Sequence, residues 1–323
     1  MKQLVFSALM VVLAAHTAST QSLTYNSGQN ASPAFEGWEK NDDGSFNMMF
    51  GYMNRNWEEE LNVPIGPDNC ISPGPCDQGQ PTRFLPRRNR FVFKVRVPKD
   101  WGNKELVWTL TTKGKTERAY ATLREDSLVD NIVQASEQGA LGAGISSPQI
   151  RANVAPELTI DQGERRAQVG QPLTLIAIAK DDGVPRPRFG PDSREAERAA
   201  QARARATNSS PVLVPRGTMA FDPAAQRPPS AITVGSQTGL RHSCFVYRGE
   251  GRVSFTPRQA KVWEDTRVGA NSPWAPRWMA PAVPPDGKYQ VNVTFQDPGQ
   301  YTIRCLASDG ALNTYKDVVV TVK

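Results

Sequence analysis

Residues 297–310, DPGQYTIRCLASDG, decide the fold. Asp297-Pro298-Gly299 and Ser308-Asp309-Gly310 are turn sequences, because Pro fixes φ and Gly enters the left-handed region without steric cost. Between them Tyr301, Ile303 and Cys305 share one parity, which is the period of a strand with one face in a core. Cys305 is therefore expected to point inward. Leu240, His242, Cys244 and Val246 share one face of another strand, which offers its bridge partner. This pattern specifies architecture and names no reaction.

Working outward, strand signals continue in both directions. Arg252 to Phe255, Tyr289 to Phe295 and Val318 to Val322 read as strands. Upstream, Leu158 and Ile160 mark one, and Leu173, Leu175, Ala177 and Ala179 share a face of another. In the first half Phe46, Met48, Phe50 and Tyr52 alternate with smaller or polar residues. So do Phe91, Phe93, Val95 and Val97, and then Leu106, Trp108 and Leu110. Thr116 to Leu123 follows a Lys113-Gly114-Lys115 turn. Trp57 to Val63 is a further strand candidate. Residues 21–45 are polar and read as a loose arm leading to a turn at Asn41–Gly44. Pro64 to Pro86, with six prolines and three glycines, reads as an irregular loop. Residues 125–154 read as a linker with a helical turn near Ser127 to Gln138. Residues 184–238 form a long insertion, inside which Asp192 to Asn208 is expected to be helical, since Asp192 and Glu195 are spaced as a capping box.

The second half resembles the PKD, cadherin and immunoglobulin-like sandwiches of exported bacterial proteins. The resemblance rests on Val169-Gly170-Gln171-Pro172-Leu173, on Lys180-Asp181-Asp182-Gly183-Val184-Pro185, and on Asp297 to Tyr301 through Ser308-Asp309-Gly310. The D-x-G-x-Y opening is similar to a tyrosine corner. The expectation is an all-β chain of two immunoglobulin-like antiparallel β-sandwich domains, residues 33–124 and 155–323, joined by a linker. One departure is that the immunoglobulin pattern places its cysteine two residues after the tyrosine. Ile303 stands there, and Cys305 comes two later, so a bridge through it is shifted. The topology the resemblance implies gathers Asp181, Asp182 and Asp309 at one end, near the linker. That makes them candidate calcium ligands, set against the role of Asp-Gly pairs as plain turn formers.

The chain has 323 residues and a normal globular composition. Lys2, the apolar run from Leu4 to Ala15 and the small residues after it read as a secretory signal peptide over residues 1–20. No later run is long enough to span a bilayer, so a periplasmic or extracellular protein is expected. The net charge of +6 becomes +5 once Lys2 leaves. The basic residues are spread, denser only at Arg83–Arg96 and Arg194–Arg205, which fits a solvated surface and no nucleic-acid partner. Four cysteines in an exported chain favour disulfides. Of three possible pairings, Cys70 with Cys76 and Cys244 with Cys305 keeps each bridge within one domain.

Catalytic motifs are missing from the sequence. Once His16 leaves, His242 is the one remaining histidine, too few for multi-imidazole metal sites. No G-x-S-x-G, phosphate loop or H-E-x-x-H occurs. Glu58 and Glu60, which would share a face on a strand, are the best carboxylates for a hydrolase, and a charged strand edge explains them as well. Pro273-Trp274-Ala275-Pro276-Arg277-Trp278 offers two indoles and a guanidinium in a stiff loop, suited to stacking on a sugar. The expected function is a non-enzymatic binding or assembly protein whose partner is a protein or glycan of the envelope. A carbohydrate-binding module using Trp274, Arg277 and Trp278 is the first alternative, and a carboxylate hydrolase the second. No cofactor is expected unless calcium binds.

Overall fold

The computed structural model describes residues 25–138, 148–161, 163–187, 238–263 and 281–323. The leader, the helix expected over 192–208, nearly all of the insertion and the loop with Trp274, Arg277 and Trp278 lie outside the described residues.

The chain is all-β, with sheets stacked as sandwiches. The first half contributes β1 (Ala31–Lys40), β2 (Phe46–Asn54), β3 (Leu61–Asn62), β4 (Asn69–Ser72), β5 (Arg83–Phe84), β6 (Arg87–Val97), β7 (Leu106–Thr112) and β8 (Lys115–Ala121). Helices α1 (Asn131–Glu137) and α2 (Pro148–Arg151) follow. The second half contributes β9 (Glu157–Ile160), β10 (Arg165–Ala167), β11 (Pro172–Lys180), β12 (Arg241–Arg248), β13 (Val253–Thr256), β14 (Lys288–Phe295), β15 (Gly299–Ser308) and β16 (Asn313–Val322). The sheets run β1-β2-β6, β4-β7-β8 and the small β3-β5, then β13-β14-β11-β9 and β10-β16-β15-β12. All named pairs are antiparallel except β10 with β16.

The turn between β7 and β8 has the two-residue form. Lys113 and Gly114 both have positive φ, 51° and 74°, and Thr112 pairs with Lys115, the backbone twist that two-residue hairpins require.

Among the described residues two large apolar cores and two small satellite clusters result. The first packs Phe50, Phe84, Phe93 and Trp108, and the buried indole of Trp108 donates to Asn69 Oδ1 at 3.0 Å. The second packs Leu175, Val293, Phe295, Tyr301, Ile303 and Val320. Here the D-x-G-x-Y reading holds in detail, because Tyr301 Oη donates to the Asp297 carbonyl at 2.9 Å, which pins the corner. Gly251, with φ of 105°, lies against the same hydroxyl, and a Cβ there would approach it to 2.5 Å.

Three local readings need correction. Residues 31–40 are a full strand, not part of a loose arm. Its buried positions are Ala31, Pro33 and Gly37, with Phe35 packed against the first core, so small residues and a proline interrupt the hydrophobic alternation. Of Trp57–Val63, only Leu61–Asn62 is strand. The Pro-rich 64–86 stretch contains β4, in which Cys70 and its neighbours pair with β7, and β5, which pairs with β3.

Cys70 is bonded to Cys76 and Cys244 to Cys305. Cys244 and Cys305 stand directly opposite each other in the β12–β15 register. The bridge thus joins neighbouring strands of one sheet, the form taken here by the two-residue shift of Cys305 from the immunoglobulin position.

Candidate functional site

Strand β12, RHSCFVYR, is buried on both faces, and this organises the rest of the molecule. Cys244 and Val246 enter the second core, whereas Tyr247 enters the first, with Phe245 packed against it. Strand alternation sets Phe245 and Tyr247 on this second face, and a bulge lies at Tyr247. Val246 pairs with Ile303 and Arg248 with Thr302, so Tyr247 is the extra residue, and bulges of this kind re-aim a side chain. The outer faces of β12 and β15 are consequently packed against the first half.

Hydrogen bonds fix this contact. Tyr247 Oη donates to the Gly79 carbonyl at 2.5 Å. Arg248 holds Asp77 with two bonds of 2.8 and 2.7 Å and also donates to the Gln80 carbonyl. Arg83 Nη1 donates to the Gly251 carbonyl at 2.6 Å. At the centre Arg304, 7% exposed, grips Asp317 with two bonds of 2.7 Å. Its guanidinium lies 3.3 Å from the Tyr247 ring centre, and its remaining arm donates to the Val92 carbonyl at 2.6 Å. That carbonyl is available because the β2–β6 register jumps from Phe50/Phe93 to Tyr52/Asn89, leaving Arg90–Val92 out of the ladder.

Beside this contact lies a cavity of about 70 Å³. Its basic lining is Arg83, Arg88, Arg90, Arg241 and Lys261, with Glu137 as the acidic residue among the described lining. Tyr52, Phe245, Tyr247, Tyr315 and Trp263 supply aromatic walls. Arg83 is paired with Glu60 and Arg88 with Glu36. Arg90 Nε is 3.1 Å from Glu137 Oε2 but misaligned for a hydrogen bond. Glu36 occupies space that only glycine leaves, since a Cβ on Gly51 would collide with Glu36 Oε1 and the Asn89 carbonyl. Burial raises the Glu36 carboxyl above its ordinary range despite Arg88. Trp263 Nε1 is buried and has no acceptor among the described residues. The sequence showed the Arg83–Arg96 density; that three of its arginines, on β5 and β6, converge with Arg241 follows only from the packing of the first half against β12.

The expected metal residues have other engagements. Asp309 is fully buried. Its Oδ1 accepts from the Ala311 and Leu312 amides at 2.6 and 2.7 Å, and its Oδ2 accepts from Asn153 Nδ2 at 2.8 Å. Asp181 accepts from the Gly183 amide and Asp182 from the Val184 amide. Each carboxylate thus stabilises a turn. Asp181 is pushed up to about 6, chiefly by burial and then by the charges of Asp309 and Asp182. Among the described residues, the group of three ligand-type side chains within 4.8 Å of one another is His242, Cys244 and Cys305, and the disulfide removes both thiolates. Of the hydrolase candidates, Glu58 is exposed, Glu60 pairs with Arg83, and the neighbouring Glu59 bonds Lys113 and the Gly28 amide.

His242 and Asp181 give folding stability two opposed pH dependences. His242, 8% exposed and stacked on Tyr289, is lowered by burial from 6.5 to about 4. Its stabilising share is complete above pH 6.5 and is lost as pH falls toward 4, about 3 kcal/mol at most. Asp181 has the opposite sign: its share is complete below 3.8 and is lost as pH rises through about 6. In urea titrations between pH 4 and 7, His242→Phe is expected to remove the loss on acidification, and Asp181→Asn to leave a steeper one. An unchanged slope in His242→Phe would contradict the buried placement of this ring.

No family model matches the chain, and no curated protein does. Among solved structures, the chain is similar to domains 4 and 5 of the S-layer protein SbsC, at 9% identity over 68% of this chain and 65% of that one, with a TM-score of 0.21. The adhesin InvE of Yersinia pseudotuberculosis is 9% identical over 90% of this chain and 58% of that one, with a TM-score of 0.22. The D00-D0 domain of intimin is 10% identical over 90% and 100%, also at 0.22. The chain thus spans about two thirds of the SbsC fragment and 58% of InvE. TM-scores this low carry no argument; the assignment to all-β sandwich proteins rests on the strand pairing above.

Proposed function

We propose that this chain is an exported, non-enzymatic binding or assembly protein of the cell envelope, built from two β-sandwich modules that work as one body. The observation that carries this reading is β12, buried on both faces, with the basic, aromatic-walled cavity beside it. A covered sheet face with interlocking arginines holds two modules at a fixed angle, which suits a load-bearing or docking element. Two disulfides support an oxidising compartment. Among the described residues no helix is long and apolar enough to cross a membrane.

The test is sedimentation of the purified mature chain with envelope fragments from its own source. Saturable co-sedimentation that weakens with added salt is expected, because exposed charge attraction is screened. Failure to co-sediment at any salt concentration would remove the binding reading.

A further inference from the structure

We infer that His242, Cys244 and Cys305 form a site for one thiophilic divalent cation of the zinc class in the reduced chain, before the bridge between β12 and β15 closes. The ion and the disulfide are alternative cross-links at one place in the second core. This property is separate from the binding role proposed above.

Strand geometry brings the three side chains together whether or not the sulfurs are bonded. His242 and Cys244 are two residues apart on β12 and so share a face. Cys305 stands opposite Cys244, and Ala307 opposite His242, so the four make one two-by-two patch. Cys244 and Cys305 are a narrow pair, with Cα atoms 4.0 Å apart, the kind whose side chains approach most closely. Pairing continues on both sides, from Arg241/Ser308 to Val246/Ile303. The Cys244 amide is held as well, donating to Gln259 Oε1 at 2.9 Å. The ladder therefore keeps the two cysteines opposed without the covalent bond.

The distances suit a tetrahedral ion. Zinc binds sulfur at about 2.3 Å and nitrogen at about 2.0 Å, so a shared ion sets sulfur about 3.5 Å from nitrogen and about 3.8 Å from a second sulfur. His242 Nε2 is 3.7 Å from Cys244 Sγ, and all three ligand atoms lie within 4.8 Å of one another. Across from the imidazole, Ala307 presents only a methyl group. Stacking on Tyr289, with ring centres 4.7 Å apart, fixes the imidazole plane.

Charge and donor type select the ion. Binding moves protons and no electrons: each thiol releases one proton, both sulfurs bind as thiolates, and Nε2 gives its lone pair. Two thiolates and a dication sum to zero, so the complex adds no net charge to a core of Val246, Ile303 and Val320. Calcium and magnesium require oxygen donors, which these three side chains do not offer, whereas sulfur with imidazole suits zinc. Water takes the fourth position. The reduced chain lacks its long-range cross-link and opens more readily, which admits the ion. The oxidised chain has no thiolate to give, so the two cross-links exclude each other.

The test uses the full mature chain carrying Cys70→Ala and Cys76→Ala, which removes the other cysteine pair, reduced with a phosphine under nitrogen. Cobalt(II) is titrated as a spectroscopic probe, and zinc is then added to displace it. The visible absorption of tetrahedral, thiolate-bound cobalt should saturate at one ion per chain and vanish with zinc, whose Kd should be on the order of micromolar or tighter. Zinc should raise the melting temperature of the reduced chain and leave that of the oxidised chain unmoved. Magnesium should do neither. His242→Phe keeps an aromatic ring against Tyr289 and deletes one ligand. It should raise the zinc Kd at least about tenfold, the least that even outer partners of a metal ligand cost. If the reduced chain is unfolded without metal, the readout is a cooperative melt regained on adding zinc, with His242 present and not in His242→Phe. Absence of both the cobalt absorption and any zinc-induced change in melting overturns the inference. So does binding by His242→Phe, or by the oxidised chain, equal to that of the reduced parent.

Discussion

Replacing Arg304 by Met is expected to lower folding stability by about 3–5 kcal/mol, the usual cost of removing one member of a buried ion pair. Arg304 is 7% exposed and every arm of its guanidinium is in use. Two nitrogens hold Asp317, the third donates to the Val92 carbonyl, and the plane rests on Tyr247. Met fills much of the volume but strands two acceptors. Asp317 is partly solvent-exposed and recovers some hydration, so the value should fall toward the lower end. The Val92 carbonyl, left out of its own ladder, does not. Adding Asp317→Leu to Arg304→Met should restore part of the loss, since an apolar pair can replace a buried ionic one. Denaturant unfolding of the two variants measures both effects. A loss below about 1 kcal/mol for Arg304→Met, the scale of an exposed pair, would mean that the Arg304–Asp317 pair and its bond to Val92 are not buried as described.

The second large effect belongs to the bridge between β12 and β15. Its partners are 61 residues apart, against six for Cys70 and Cys76. In the chain-entropy account, cross-linking restricts the unfolded chain in proportion to the logarithm of the loop. That gives about 4 kcal/mol for the long loop and about 2 for the short one. Cys244 and Cys305 are 1% and 0% exposed, so alanine is the proper replacement; serine would bury a hydroxyl without a partner. The Cys244→Ala, Cys305→Ala variant should therefore lose about twice as much stability as Cys70→Ala, Cys76→Ala. Equal losses would show that the chain between Cys244 and Cys305 is already restricted when unfolded.

Much of the second half was legible in the sequence, because its determinants are local. Turn residues bracket Tyr301, and the corner hydrogen bond depends on a spacing of four residues. The face shared by Leu175, Ala177 and Ala179 is buried as its parity requires. The β7–β8 hairpin followed from Lys113-Gly114. What stayed hidden depends on contacts between distant parts of the chain. Strand β1 meets its core through Ala31, Pro33 and Phe35, of which Phe35 alone is a large apolar residue. β10 joins the sheet through a parallel pairing with β16 that three polar or small residues do not announce. The basic cavity depends on bulges at Tyr247 and at Arg90–Val92, and no propensity predicts where a bulge falls. One further signal is present in the sequence. Phe245 and Tyr247, and Leu306 on β15, are large side chains at positions that should face water if β12 and β15 lay on an open sheet. Apolar residues on both parities mark a strand covered on both sides. Arg304, between them on the covered face, is the polar group that such a face must satisfy.

The central claim is that the two halves are one body, joined through β12. Differential scanning calorimetry of the mature, oxidised chain tests it most directly. One cooperative transition, with calorimetric and van't Hoff enthalpies equal, is predicted for the wild type, separating into two transitions in Arg304→Met. Two transitions already in the wild type, unmoved by Arg304→Met, would contradict it.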